Sequence, residues 1–163
     1  MISVILPTYN ERENIVSLIA DIRATLSEPF EILVVDDDSP DGTWGIVQDL
    51  ERQFPEVYLI RRTGKRGLTA SLDEGLSRAR GEKCLWMDAD FSMPPETIPR
   101  LLAPLETYPV VVGSRYIEGG QDLRDNPFHV LASRWFNALS RRLLGGVSDY
   151  TSGFVAIRKE VWK

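Results

Sequence analysis

Cysteine and histidine are almost missing from this chain: each occurs once, as Cys84 and His129. A lone cysteine forms no intrachain disulfide, so a reducing, cytoplasmic compartment is the expected setting. His129 has no Cys or His companions with which to build a structural zinc site. A serine-hydrolase triad would have to use it, yet the sequence contains no Gly-x-Ser-x-Gly. His129 therefore reads as an ordinary residue where a loop meets a helix. No apolar run approaches the roughly 18 residues needed to span a membrane. The run Ile2–Leu6 follows Met1 directly and is too short, and without a basic leader, for a signal peptide. Positive charge is also scarce: 19 Lys and Arg against 24 Asp and Glu give a formal net charge of -5, which excludes nucleic acid as an expected partner. Gly64-Lys65-Arg66-Gly67 lacks the spacing of a P-loop, and no Gly-x-Gly-x-x-Gly follows the first apolar run, which argues against a dinucleotide fold.

What is present suits one soluble domain. A chain of 163 residues, 43% of them hydrophobic, buries enough surface to fold without disulfides or structural metals. Short apolar runs alternate with stretches of helical period. Ile2–Leu6 reads as a strand ended by Pro7; Ile15, Leu18, Ile19, Ile22 and Leu26 then mark an amphipathic helix. Asn10 and Glu13 have the spacing of a capping pair for it. Glu31–Val35, Val57–Ile60, Lys83–Met87, Val110–Val112 and Phe154–Ile157 are further strands, and Cys84 reads as a core thiol. Between them, Ile46, Val47 and Leu50, then Leu68, Leu72, Leu76 and Ala79, then Ile98, Leu101, Leu102 and Leu105 give three helices their buried sides. Gly81 reads as the stop of the second of these, and Pro94-Pro95 as the first turn of the third. A polar loop over Glu118–Pro127 and a helix over Val130–Leu144, carrying Trp135, Leu139 and Leu143 on one side, complete the pattern. The repeated strand–helix order predicts an α/β fold, a Rossmann-like, mostly parallel sheet with helices on both faces.

Ligands of such sheets bind beyond the carboxyl ends of the strands, and two acidic clusters fall there, Asp36-Asp37-Asp38 and Asp88-Ala89-Asp90. Asp88 and Asp90 are two apart, so in extended backbone they point the same way, and such a pair is costly without a cation. Mg2+ takes hard oxygens, commonly one or two carboxylates plus substrate phosphates. A solvated turn, with Asp90 or Ser92 capping the next helix, is the plain alternative. Asp38 and Asp41 fit a solvated turn equally well, and Asp37 could accept a hydrogen bond from a nucleobase N–H. Arg62, Lys65 and Arg66 could meet phosphates or simply cover the surface.

These pieces, in order, resemble the family-2 glycosyltransferases of the GT-A fold, and within them the dolichyl-phosphate (polyprenyl-phosphate) mannosyltransferase group. The likeness is carried by Pro7-Thr8-Tyr9-Asn10-Glu11, by Val35 to Thr43, by Arg66-Gly67-Leu68, and by Met87-Asp88-Ala89-Asp90-Phe91-Ser92 with Pro94-Pro95-Glu96. Gly113-Ser114-Arg115-Tyr116, Ser133-Arg134 and Asp149 to Phe154 continue it over nearly the whole chain. The resemblance implies that Pro7, Tyr9, Glu11, Val35 and Asp37 hold the nucleoside. It implies that Asp88 and Asp90, with Ser92 beside them, bind Mg2+ or Mn2+, and that Ala89 lies against the nucleotide. It also implies that Arg115, Ser133 and Arg134 receive a lipid phosphate, to which an arginine fork is suited, and that Asp149 and Ser152 lie close to the sugar and the metal. Thr69 and Met93 depart from the common Gly and His, and Asn126–Leu131, with His129 near a usual arginine, is less basic than in many relatives. Family members continue well past Val161, so residues 1–163 are expected to be a single catalytic domain truncated at its C-terminus.

The activity so implied is inverting transfer of mannose or glucose from GDP-mannose or UDP-glucose to a polyprenyl or dolichyl phosphate, by an enzyme peripheral at a membrane surface. A phosphate acceptor is already an anion and needs no strong base. An acceptor hydroxyl on a sugar or glycan would need one, for which Asp149 is the late acidic candidate. A nucleotide-sugar-binding protein without activity is the third reading.

Overall fold

The computed structural model describes residues 1–114, 149 and 152–162. A six-stranded sheet has the order β3-β2-β1-β4-β6-β5, built from β1 (Ile2–Thr8), β2 (Phe30–Asp36), β3 (Val57–Arg61), β4 (Lys83–Trp86), β5 (Val110–Val112) and β6 (Val155–Arg158). The first four strands are mutually parallel. β6 runs antiparallel between β4 and β5. The expected mostly parallel sheet is therefore present, with one reversed strand inserted near its edge.

Side-chain alternation sorts the core into two layers. Ile2, Val4 and Leu6 of β1, with Ile32 and Val34 of β2, face a layer filled by α1 (Ile15–Thr25), α2 (Thr43–Gln53) and α4 (Ile98–Leu102). Ile5, Leu33 and Val35 face the opposite layer, closed by Leu76 and Ala79 at α3 (Leu68–Arg78). α3 lies so close to the sheet that a Cβ on Gly75 would come within 2.6 Å of Ile5 Cγ2. The Cys84 thiol is buried in the α3 layer, and that burial pushes its pKa up to about 11, far from nucleophilic use.

Several local expectations are corrected. Pro7 does not end β1, which runs on to Thr8. Ile5 C=O accepts the Met87 N–H from the β4 side and Thr8 C=O accepts the Asp37 N–H from the β2 side, so Pro7 turns its missing donor toward β4. The β1–β4 ladder has already stopped at Ile5–Trp86, and nothing is lost there. Asn10 and Glu13 form no capping pair: Asn14 is the N-cap residue of α1, and Asn14 Nδ2 donates to Glu11 Oε2 at 2.9 Å. Leu68 is 56% exposed at the first position of α3 rather than part of its buried side. The helix after Pro94-Pro95 is divided into a 3-10 turn (Pro95–Thr97), α4 and a second 3-10 turn (Ala103–Glu106). Pro99 and Pro104 supply no N–H for a continuous ladder, yet Ile98, Leu101, Leu102 and Leu105 are all buried as expected. The expected loop over Glu118–Pro127, the expected helix over Val130–Leu144 and His129 lie outside the described residues.

Gly81 does not stop α3, whose C-cap is Ala79. It lets the chain approach β1, because a Cβ there would sit 2.7 Å from Ser3 N. A buried carboxylate organises this corner. Glu31 Oε1 accepts from Ser3 Oγ and from Arg80 N–H, both at 2.6 Å, while Oε2 accepts from Arg80 Nε at 2.7 Å. Burial alone would raise the Glu31 pKa; the Ser3 hydroxyl, the Arg80 N–H and the Arg80 guanidinium outweigh it and hold the group below its usual value. A depressed folded pKa stabilises the protein above the unfolded value and loses that contribution as pH falls through the folded one. Glu31→Gln is thus expected to cost about 2 kcal/mol at pH 7. Its deficit in urea melts should narrow steadily below about pH 4; a pH-independent deficit would contradict the assignment.

Candidate functional site

Three loops at the carboxyl end of the sheet, after β1, β2 and β4, carry residues with positive φ that are not glycine: Asn10 (63°), Asp38 (55°) and Phe91 (60°). Asn and Asp enter this region readily, whereas a bulky Phe does so rarely. Phe91 is held by packing against the core, which turns the chain sharply just after Asp90. Such backbone cost concentrated at one end of a sheet is typical of sites.

The loops after β1 and β2 are tied together by side chains. Asp36 is fully buried; its Oδ2 accepts from Thr8 Oγ1 at 2.9 Å and Ser39 Oγ at 2.7 Å, and its Oδ1 accepts from the Ser39 N–H at 2.8 Å. Ser39 Oγ in turn accepts the Asn10 N–H at 2.9 Å. The Glu11 N–H donates to Thr43 Oγ1 at 3.0 Å, and Thr43 Oγ1 donates to Asp41 Oδ1 at 2.7 Å. Asp41 is thereby a constructed turn: burial raises its pKa, but the Thr43 hydroxyl and N–H and the Arg12 N–H and charge lower it further, to a value below normal. Pro7, Tyr9, Glu11, Val35 and Asp37 are thus brought to the ends of two paired strands. Tyr9 stands 45% exposed, whereas Val35 is buried.

Asp37 is nearly enclosed. Its Oδ1 accepts from Arg62 Nη1 and lies 3.1 Å from Ser71 Oγ, and its Oδ2 accepts the Gly67 N–H at 2.8 Å. Arg62 therefore turns inward instead of covering the surface. Arg61 pairs with Asp38 at 2.5 Å and stacks on Trp44 at 3.6 Å, so Asp38 is more than a solvated turn. Arg66 reaches the Tyr9 hydroxyl at 2.7 Å and lies over its ring at 4.6 Å. Arg61, Ser71 and Trp44 belong to none of the motifs that the sequence singles out. The usable signal was register: Asp36 pairs with Arg61 across β2 and β3, which sets two arginines beside the acidic strand end.

On the other side of β1, β4 ends at Trp86, so Asp88, Ala89, Asp90 and Ser92 occupy the loop beyond it. Ala89 is buried, Asp88 half-buried, and Asp90 and Ser92 are exposed. The Ser92 N–H donates to Asp90 Oδ1 at 2.9 Å. Alternation along a strand no longer orients the pair; the turn does. Gly153 packs directly on Asp88, since a Cβ there would lie 2.9 Å from Asp88 Oδ2. Asp149 is buried at 1% exposure. Arg115, Ser133 and Arg134 lie outside the described residues.

Among the described residues no three His, Cys, Asp or Glu side chains cluster as a metal cage. A closed structural site is thus not what these residues offer. Two carboxylates on an open loop fit a hard divalent ion that completes its shell with water and phosphate oxygens.

With that geometry in place, relatives identify the class. Residues 3–163 match the family model for glycosyl transferase family 2, and the chain belongs to that family. The sheet and its helices are those of a GT-A, Rossmann-like fold. The chain is 42% identical to a dolichol-phosphate mannosyltransferase of Pyrococcus furiosus, across 98% of this chain and 47% of that protein. It is 41% identical to a polyprenol monophosphomannose synthase of Mycolicibacterium smegmatis, across 97% of this chain and 62% of that one. It therefore spans about half to three-fifths of the length of these curated relatives. Among solved structures, it is similar to glucosyl-3-phosphoglycerate synthase of Mycobacterium tuberculosis in complex with Mn2+, UDP-glucose and phosphoglyceric acid. That match has a TM-score of 0.74 at 25% identity, over 99% of this chain and 57% of the other.

Gly153→Ala tests the contact with Asp88. The added methyl is expected to displace the carboxylate and weaken Mn2+-dependent binding of GDP or UDP at least tenfold, roughly 1.4 kcal/mol, in calorimetric titration. Unaltered affinity would show that Asp88 tolerates displacement and is not a fixed ligand.

Proposed function

We propose that the chain is the donor-binding part of an inverting glycosyltransferase that moves a hexose from a nucleotide sugar to a phosphate-bearing acceptor, in particular a polyprenyl phosphate. The observation that carries the reading is the placement of Asp88 and the exposed Asp90 on the loop after β4, with Gly153 packed on Asp88, one strand away from the Tyr9–Asp37 wall. Support for the lipid acceptor comes from the relatives named as dolichol- and polyprenol-phosphate enzymes.

In this reading Pro7, Tyr9, Glu11, Val35 and Asp37 hold the nucleoside, and Ala89 lies against it. Asp88 and Asp90, with Ser92 alongside, hold Mg2+ or Mn2+, which when bound neutralises the leaving diphosphate. An oxygen of the acceptor phosphate forms the new bond to C1 as the bond from C1 to the diphosphate breaks. The nucleoside diphosphate leaves with that electron pair, and the anomeric configuration inverts. Arg115, Ser133 and Arg134 position the acceptor, which is already an anion and needs no proton removed. Asp149 would become a base only for a hydroxyl acceptor. Among the described residues no helix is long and apolar enough to cross a membrane. In this reading the lipid acceptor is met at a cytoplasmic membrane surface, with the enzyme peripheral to it.

Asp90 is exposed, so Asp90→Ala should leave the melting temperature within a few degrees yet lower Mn2+- or Mg2+-dependent turnover more than about a hundredfold. Turnover near that of the unaltered chain would remove the metal role. A radiolabelled donor panel, GDP-mannose against UDP-glucose, offered with polyprenyl phosphate or 3-phosphoglycerate, separates donor and acceptor chemistries. Transfer to phosphoglycerate alone would overturn the lipid acceptor.

Arg134→Ala should raise the KM for polyprenyl phosphate roughly tenfold or more, the worth of a charge-assisted contact, while nucleotide affinity stays within about twofold. Collapse of nucleotide affinity instead would assign Arg134 to the donor side or to the core.

A further inference from the structure

We propose that Arg62 is a positioning residue of the donor site, fixing both Asp37 and the turn that carries Arg66 without itself touching the nucleotide; this rests on the donor-site reading above. Its side chain is 15% exposed and that of Asp37 only 9%, so the ion pair is largely withdrawn from solvent. Nη1 meets Asp37 Oδ1 and donates to Ser71 Oγ at 2.6 Å, and Nη2 donates to the Lys65 carbonyl at 2.9 Å. The planar fork thus joins three segments at once: the end of β2, the turn after β3 and the first turn of α3.

The turn is closed from its other end by the same carboxylate. Gly67, the N-cap residue of α3 at φ 148°, gives its N–H to Asp37 Oδ2 at 2.8 Å, and α3 has no cap from its own side chains. Asp37 therefore supplies the negative charge that a helix N-terminus favours, and Arg62 balances that charge. Arg66 sits between two tethered neighbours, Lys65 and Gly67. Its guanidinium is delivered to the Tyr9 hydroxyl at 2.7 Å and to the Asp38 carbonyl at 3.4 Å. Without Arg62, the largely enclosed Asp37 carboxylate would lose its cationic partner and the turn would lose the Lys65 anchor. Both changes reach the nucleoside wall, and neither involves the loop after β4, which belongs to the other side of β1.

A lysine can retain the charge and the Nη1-type contacts to Asp37 and Ser71, but not the fork to Lys65. The test is calorimetric titration of GDP, UDP and inorganic pyrophosphate, each with Mn2+, against the unaltered chain, Arg62→Met, Arg62→Lys and Ser71→Ala, with thermal melts of all four. Arg62→Met is expected to weaken the preferred nucleoside diphosphate at least tenfold and pyrophosphate less than threefold, with Arg62→Lys recovering most of the loss and Ser71→Ala losing a few-fold. Should Arg62→Met fail to fold, the milder Ser71→Ala carries the same comparison of nucleotide with pyrophosphate. Nucleotide affinity within twofold of the unaltered chain, or equal losses for nucleotide and pyrophosphate, would overturn the positioning role. No nucleotide binding by the unaltered chain would instead remove the donor-site reading, and this role with it.

Discussion

Three consecutive aspartates end β2, and the rest of the site depends on how the protein disposes of their charge. A strand alternates its side chains, and the chain then turns at Asp38 with φ 55°, so the three carboxylates cannot share one environment. Asp36 goes into the protein with hydroxyl and N–H donors and, among the described residues, no cation. Asp37 meets Arg62 in a largely enclosed pair, and Asp38 meets Arg61 nearer the surface. A buried carboxylate without donors would take up a proton or destabilise the fold. The donors it recruits come from β1, the β2 turn and the β3–α3 turn. Satisfying these charges is therefore the same act as aligning those loops.

That link explains why some of the site could be read from sequence and some could not. Strand and helix faces follow from local periodicity, and Ile15, Leu18, Ile19 and Ile22 are all buried as their spacing predicts. The acidic strand ends follow from the parallel order. What escapes is set by partners distant in the chain. Gly81 resembles a helix stop, yet its reason for being glycine is Ser3, which reaches it only through the sheet. Pro7 resembles a strand breaker until the register places its nitrogen where a ladder has already ended. Leu68 keeps the helical spacing of Leu72 and Leu76, yet at the first position of α3 it stays exposed while Ser71 of the same turn is buried. In each case the local pattern pointed one way and tertiary context decided otherwise.

The same distribution of charge argues where a divalent ion would go. The carboxylates ending β2 are compensated inside the protein, by arginines for Asp37 and Asp38 and by neutral donors for Asp36. A cation drawn there would have to displace a guanidinium or strip hydrogen bonds from a buried group, which costs more than it gains in low dielectric. The loop after β4 carries the other acidic pair. Asp90 stands exposed, its Oδ1 turned by a single Ser92 N–H, and the glycine at 153 gives Asp88 room that any larger residue would take. β1 separates the two acidic ends and is paired to both strands. One strand, β1, thus sets a charge-balanced acidic end at a fixed lateral step from the carboxylates on the loop after β4, the step that the proposed nucleoside and diphosphate-bound ion would use. A nucleotide sugar presents those two chemistries in that order, which is why the likeness to glycosyl transferase family 2 agrees with the electrostatics of the fold as well as with its topology.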